Sequence, residues 1–250
     1  MIEFRASRSG DRVALTGLWR EAFGDEKSFI DAFFETGYAP ERSRVAEVDG
    51  EIAGMLFWFD GVLGERKLAY LYAVATAERF RGQGVASALM ADVHKLLKGQ
   101  GYAAAVLSPG SESLFRFYKK LGYETAGYRE EIRVKAVAPI SVREVGVEEY
   151  AELRAALLPP NGLRQEGANL EFLHCFARLY GGEGFCAAVS REGAYCPEFL
   201  GEAEWLPGLL GALGLAEAAV RMPGGKQPCV MAKWLSVTDK SPVYLGFVFD

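Results

Sequence analysis

The segment Arg79-Phe80-Arg81-Gly82-Gln83-Gly84 joins an apolar run, Leu68 to Ala75, to a stretch in which Val85, Leu89, Val93 and Leu96 recur at helical spacing. Gly99 and Gly101 then end that stretch. A strand that passes through two glycines straight into a helix belongs to an α/β chain. Gly82 and Gly84 lack a Cβ, so the backbone there bends sharply and brings consecutive N–H groups against a ligand. The following helix adds the positive end of its dipole, and Arg79 and Arg81 add charge. The segment reads as a pyrophosphate cradle, with Arg81 to Ala86 supplying the phosphate-facing backbone.

Two other phosphate loops fit less well. The dinucleotide motif needs three glycines spaced G-x-G-x-x-G and an acidic residue about 20 positions later, and the Walker loop needs Gly-Lys-Ser/Thr. By contrast, Arg79-x-x-Gly82-x-Gly84 resembles the acetyl-CoA signature of the GNAT acetyltransferase superfamily. Downstream, Ala103 to Leu107 reads as a short buried strand, broken by Ser108-Pro109-Gly110. Ser111 or Ser113 then caps a helix running to Leu121, with Gly122 at its end. Phe117-Tyr118-Lys119-Lys120-Leu121-Gly122-Tyr123 is similar to that family's second signature, an aromatic-Tyr helix followed by Leu-Gly and an aromatic.

The resemblance implies acetyl-CoA as cofactor and assigns roles. Leu114, Phe117 and Leu121 share a helical face that reads as core, with Tyr118 at its edge and Phe115 and Tyr123 also in the core. A tyrosine hydroxyl with a pKa near 10 keeps its proton at neutral pH. Tyr118 is therefore the candidate catalytic acid for the departing CoA thiolate. Its alternative role is as a half-buried aromatic closing the cofactor groove. By the same resemblance the strand Ala73-Val74-Ala75 lies along the cofactor, and the backbone of Ala73 and Ala75 polarises the thioester. The implied cofactor contacts are thus Ala73, Val74, Ala75, Arg79, Arg81, Gly82, Gln83, Gly84, Val85 and Ala86. The implied reaction moves an acetyl group to a primary amine by direct attack on the thioester. A non-catalytic CoA-binding sensor or scaffold is the alternative.

An amine acceptor with a pKa near 10 must lose a proton before it attacks. Of the two histidines, His94 lies late in the cofactor helix and His174 in an aromatic run, and both read as structural or exposed. Asp25, Glu26 and Asp60 are the carboxylate candidates, each also readable as a solvated surface charge. Tyr70 and Tyr72 are candidates for holding a water.

At 250 residues and 50% hydrophobic content the chain has material for one large domain or two smaller ones. No apolar run approaches the roughly 20 residues of a membrane helix. The opening Met1-Ile2-Glu3-Phe4-Arg5 lacks the layout of a secretory signal, which points to a cytoplasmic protein without membrane partners. The four cysteines, Cys175, Cys186, Cys196 and Cys229, form no C-x-x-C pair, so neither disulfides nor a metal site is expected. A net charge of −5 argues against nucleic acid and suits a cationic small-molecule or peptide amine.

The second half echoes the first. Ile140-Ser141-Val142-Arg143 matches Ile2-Glu3-Phe4-Arg5, and Glu171-Phe172-Leu173 with Phe176 matches Ser28-Phe29-Ile30 with Phe33. Gly201-x-x-x-Trp205 matches Gly54-x-x-x-Trp58. Pro207 then leads into an Ala-Leu-rich helical stretch, Leu209 to Arg221, with no arginine-glycine loop. The expectation is two mixed-sheet domains with flanking helices. Residues 1–137 form a GNAT acetyltransferase domain, and 138–250 a truncated copy that lacks the cofactor loop and packs against the first domain, shapes the acceptor site or forms a homodimer. Asp250 or a terminal carboxylate facing the active site is a further expectation.

Overall fold

The structure, a computed structural model, describes residues 1–236 and 240–249. In chain order it runs β1 (Ile2–Arg5), α1 (Arg12–Phe23), α2 (Lys27–Ala32), β2 (Ser43–Val48), β3 (Glu51–Leu63), β4 (Arg66–Thr76), α3 (Val85–Gly99), β5 (Ala104–Leu107), α4 (Glu112–Lys120) and β6 (Glu124–Lys135). The second half adds β7 (Arg143–Glu144), α5 (Val147–Leu157), α6 (Ala168–Phe176), β8 (Ala177–Gly182), β9 (Phe185–Ser190), β10 (Tyr195–Cys196), β11 (Glu198–Gly201), α7 (Leu206–Ala212), β12 (Glu217–Pro223) and β13 (Gln227–Trp234). None of the helices described is long and apolar enough to cross a membrane.

Local chemistry sets the main boundaries. Gly24, at φ 74°, ends α1 by turning its N–H back to the Arg20 carbonyl. Asp49 and Gly50, at φ 51° and 84°, form the two-residue turn between β2 and β3. On β3, Met55, Phe57 and Phe59 face one layer while Leu56 and Trp58 face the other. β4 divides Leu68, Tyr70 and Tyr72 from Ala69 and Leu71 in the same way. The first layer packs under α1, α2 and α6, and the second under α3 and α4. In α3, Val85, Leu89, Met90, Val93 and Leu97 are buried, each side chain contributing about 1.5–3 kcal/mol. Gly54 lets that helix approach, since a Cβ there would lie 3.3 Å from Val85.

The described strands form a nine-stranded mixed sheet, β1-β2-β3-β4-β5-β13-β6-β12-β10, and a four-stranded sheet, β11-β9-β8-β7. β13 occupies the slot between β5 and β6, so pairing within the large sheet crosses residue 137. The small sheet has the order of β1-β2-β3-β4 and the same antiparallel pairings. Helices α5, α6 and α7 occupy the chain positions of α1, α2 and α3.

Several local expectations change. The residues after α4 read from composition as two strands, Tyr123 to Gly127 and Glu131 to Lys135; they form the single strand β6, because β13 pairs with its first half and β12 with its second. The Ala-rich stretch after Pro207 is helical only to Ala212; Ala218 and Val220 then alternate inward on β12, and sheet pairing overrides alanine's helix preference. Gly54 and Trp58 lie within β3, whereas Gly201 ends β11 and Trp205 sits in the 3₁₀ turn after it, so that motif match joins inequivalent positions.

Candidate active site

The site begins where the sheet opens. β4 and β5 pair in parallel at Leu68–Ala104, Ala69–Ala105 and Tyr70–Val106, and β4 continues to Thr76 while β5 stops at Leu107. Beyond Tyr70, no described strand pairs with the β5-facing edge of β4. Ala73 sits at φ 48°, a left-handed conformation rare for a residue with a Cβ. The register with β3 shifts at the same place, between Met55–Ala75 and Phe57–Tyr72, as in a β-bulge. The extra residue reverses the alternation of side chains, so that Ala73 and Ala75 follow Tyr72 into the first layer and Val74 packs on the second.

After Thr76 a 3₁₀ turn over Glu78–Phe80 leads into the glycine turn. Gly82 and Gly84 have φ 74° and 81°, and a Cβ on either would meet nothing within 4 Å. These glycines serve backbone direction rather than packing. Gly84 is the N-cap of α3 and supplies no side-chain acceptor, so the leading N–H groups of Val85 and Ala86 face a ligand or water. Gln83 donates from Nε2 to the Arg79 carbonyl at 2.8 Å, and Arg81 from Nε to the Thr76 carbonyl at 3.1 Å, which brace the turn. Arg79 pairs with Glu51 at 2.7 Å on the surface. An exposed pair of this kind is worth about 1 kcal/mol at most, so it holds Arg79 only weakly against a phosphate.

α4 brings Tyr118 to the other side of the opening. Ser111 caps the helix, its Oγ accepting from the Leu114 N–H at 3.3 Å. Tyr118 is buried and Leu114 is 40% exposed, the reverse of the expected helix face, because Leu114 borders a cavity rather than the core. That cavity, about 480 Å³, runs from Ala73 and Val74 past Leu107 and Ser108 to Tyr118. Trp19, Phe23, Asp25, Phe29 and Phe249 line its far end. Burial pushes the Tyr118 hydroxyl up to about 12, and it bonds to no described residue.

The candidate bases separate. Asp25 lines the cavity, its Oδ2 accepting from Trp19 Nε1 at 2.7 Å, whereas Glu26 is exposed outside it. Asp60 accepts from the Tyr102 hydroxyl and lies 3.6 Å from Lys67, a tie at the far end of β4. His94 is buried against the Tyr123 hydroxyl at 2.8 Å, and desolvation together with Lys233 lowers it to about 4. His174 is half-buried away from the cavity. Phe249 donates its N–H to the Tyr70 hydroxyl at 3.3 Å; Asp250 lies outside the described residues. Sequence reasoning missed Trp19, Val248 and Phe249 as cavity walls and the bulge at Ala73.

A second groove, of about 810 Å³, is lined by Arg5, Asp11, Glu21, Glu51, Glu78 and Arg79 among others. Arg5 within it is bound to Asp11 and Glu47, which hold its guanidinium above the ordinary arginine range.

Residues 3–126 match the family model of the acetyltransferase (GNAT) domain. The chain is 30% identical over 131 residues to acetyltransferase ECA0875 of Pectobacterium atrosepticum, which spans 50% of this chain and 89% of that protein. It is 32% identical over 95 residues to probable N-acetyltransferase family 8 member 5 of Mus musculus, 36% of this chain and 41% of that one. Among solved structures it is similar to a GCN5-related N-acetyltransferase from Anabaena variabilis, with TM-score 0.73, 17% identity, and 94% of this chain and 73% of that chain covered. A putative acetyltransferase from Pyrococcus horikoshii gives TM-score 0.68 at 16% identity, with 99% and 94% covered. At these identities the solved structures speak to the fold, and the likeness extends over both halves. The family match and a relative aligned along most of its own length place the parted strands and glycine turn in a known lineage: the chain belongs to the GNAT acetyltransferases.

Proposed function

We propose that this acetyltransferase moves an acetyl group from acetyl-CoA to a primary amine by direct attack, with Tyr118 as the acid. Tyr118 carries the reading, because its hydroxyl, without a partner among the described residues, belongs to the cavity that starts where β4 and β5 part. The open edge of β4, the two positive-φ glycines and the bare N-terminus of α3 suit a pantetheine arm followed by a pyrophosphate. Acetyl-CoA supplies an acetyl group already activated as a thioester.

The chain's own groups do the rest. Gly82 to Ala86 bind the pyrophosphate through backbone N–H groups, with Arg79 and Arg81 adding charge. The β4 backbone at Ala73 and Ala75 orients the arm and polarises the carbonyl. The ammonium gives one proton to water before it attacks; Tyr118 then gives its proton to the departing sulfur, and the proton that the nitrogen sheds as the amide forms restores the Tyr118 hydroxyl. A tyrosine near 12 is protonated throughout the physiological range, and the dry surroundings that raise it raise a thiolate beside it in the same direction. The two proton affinities therefore stay comparable. The second half, on this reading, is a degenerate copy: its 3₁₀ turn over Ala203–Trp205 runs directly into α7 with Pro207 in the first turn, leaving no room for a glycine loop.

The test is free-thiol release from acetyl-CoA with a panel of primary amines, alongside a melting curve. Acetyl-CoA should raise Tm, and thiol should appear only when an amine is present. A rise in Tm with no release from any amine would replace the transferase reading with a sensor or scaffold.

A further inference from the structure

The far end of the cavity combines aromatic walls with one carboxylate among the described residues, Asp25. Trp19 packs edge-on to Tyr72 with ring centroids 5.4 Å apart, and Phe249 stacks on Tyr70 at 6.1 Å and meets Tyr72 at 5.4 Å. Phe29 is backed by Phe172 at 5.2 Å and Phe176 at 5.5 Å. Trp19 rests on Phe33 at 5.0 Å and Phe249 on Phe59 at 5.0 Å, so these walls are backed by the aromatic layer under α1 and α6. Phe23, 47% exposed, stands at its lip.

Asp25 follows the left-handed Gly24 that ends α1, which is what turns it inward. Trp19 Nε1 holds its Oδ2, while Oδ1 has no bond to a described residue. No lysine, arginine or histidine is among the described lining residues. The hydroxyls of Ser108, Ser111 and Tyr118 lie on the donor side, beside β5 and α4.

Resting on the amine-acetylation reading, we infer that the acceptor is a primary amine on an aromatic or alkyl body, its ammonium drawn to Asp25 and its body seated among Trp19, Phe29 and Phe249. An ammonium gains from the carboxylate and from the ring faces together. A polyhydroxylated amine would set its hydroxyls against ring carbons and lose their bonds to water. A free amino acid would bring a second carboxylate beside Asp25, with no cation in the described lining to receive it.

The experiment compares 2-phenylethylamine and hexylamine with kanamycin and free lysine, using the whole chain and saturating acetyl-CoA. The apolar amines should show kcat/KM at least about 10-fold higher. Asp25→Asn, whose amide oxygen still accepts from Trp19, should raise the KM of those amines about 10-fold and leave the KM of acetyl-CoA unchanged. Amine binding is read separately, as a rise in Tm without acetyl-CoA. Turnover favouring kanamycin or lysine, or Asp25→Asn leaving amine KM unchanged, overturns the inference and leaves the transferase reading standing. Asp25-dependent binding of the apolar amines without thiol release supports the cavity's selectivity and defeats the transferase reading. Neither binding nor release overturns both.

Discussion

At the scale of single residues, burial decides which titratable groups take part. His94 has the type expected of a catalytic base, yet its surroundings lower it to about 4 from 6.5 and bind it to Tyr123. The unfolded chain takes up that proton below pH 6.5, while the folded chain resists until about pH 4. His94 therefore makes stability fall as pH drops through this window. His94→Gln, which keeps a partner for Tyr123 and does not titrate, should show a shallower fall in Tm between pH 6.5 and 4; an unchanged slope would mean His94 titrates normally in the fold. Tyr118 was legible from its signature helix, but its depth was not. Helical spacing assigned the core face to Leu114, and only the open cavity, a product of tertiary placement, explains why Leu114 is exposed and Tyr118 buried. Asp25, Glu26 and Asp60 were indistinguishable as residue types. Their separation depends on which one the Gly24 turn aims inward.

At the scale of elements, the glycine turn was legible because its conformation needs glycine, and the motif states that need directly. The bulge opposite it was not. Ala73 adopts φ 48° although alanine disfavours that region, so no sequence signal marks the position. Residues held this way persist where the surrounding structure enforces them, commonly at functional sites. Ala73→Val should cost about 1–3 kcal/mol in denaturant unfolding, since a β-branched residue is the poorest fit to this conformation, and should also weaken acetyl-CoA binding. Ala73→Gly should stay within about 1 kcal/mol of the parent. Equal stability of the Val and Gly variants would show that the bulge is not strained. The continuity of β6 depends in the same way on long-range partners, since β13 pairs along its first half and β12 along its second.

At the scale of the molecule, the internal echo pointed to repeated architecture, and the four-stranded order β7-β8-β9-β11 repeats β1-β2-β3-β4. What the sequence could not show was interleaving, because strand order in a sheet is set by non-local pairing. β13 fills the slot between β5 and β6, and Val230, Met231 and Ala232 are buried there. Residues 240–249 include the cavity walls Val248 and Phe249, and the second half holds the approach to them. A Cβ on Gly246, at φ 80°, would collide with the buried Arg154–Glu198 pair, and Gln165 Nε2 holds the Leu245 carbonyl at 2.6 Å. A fragment of residues 1–137 leaves facing edges of β5 and β6 unpaired and should be recovered as aggregate, with residues 138–250 supplied in trans restoring some soluble protein. A soluble, acetyl-CoA-binding fragment would instead show that the first half is self-sufficient. On the proposed function, one hydroxyl at the parted strands carries the proton of acetyl transfer. The deciding measurement is thiol release in the parent and Tyr118→Phe, with acetyl-CoA affinity measured in parallel. The predicted result is a fall in kcat of about 10²–10⁴-fold with Kd for acetyl-CoA and Tm nearly unchanged. Unchanged kcat in Tyr118→Phe would contradict it.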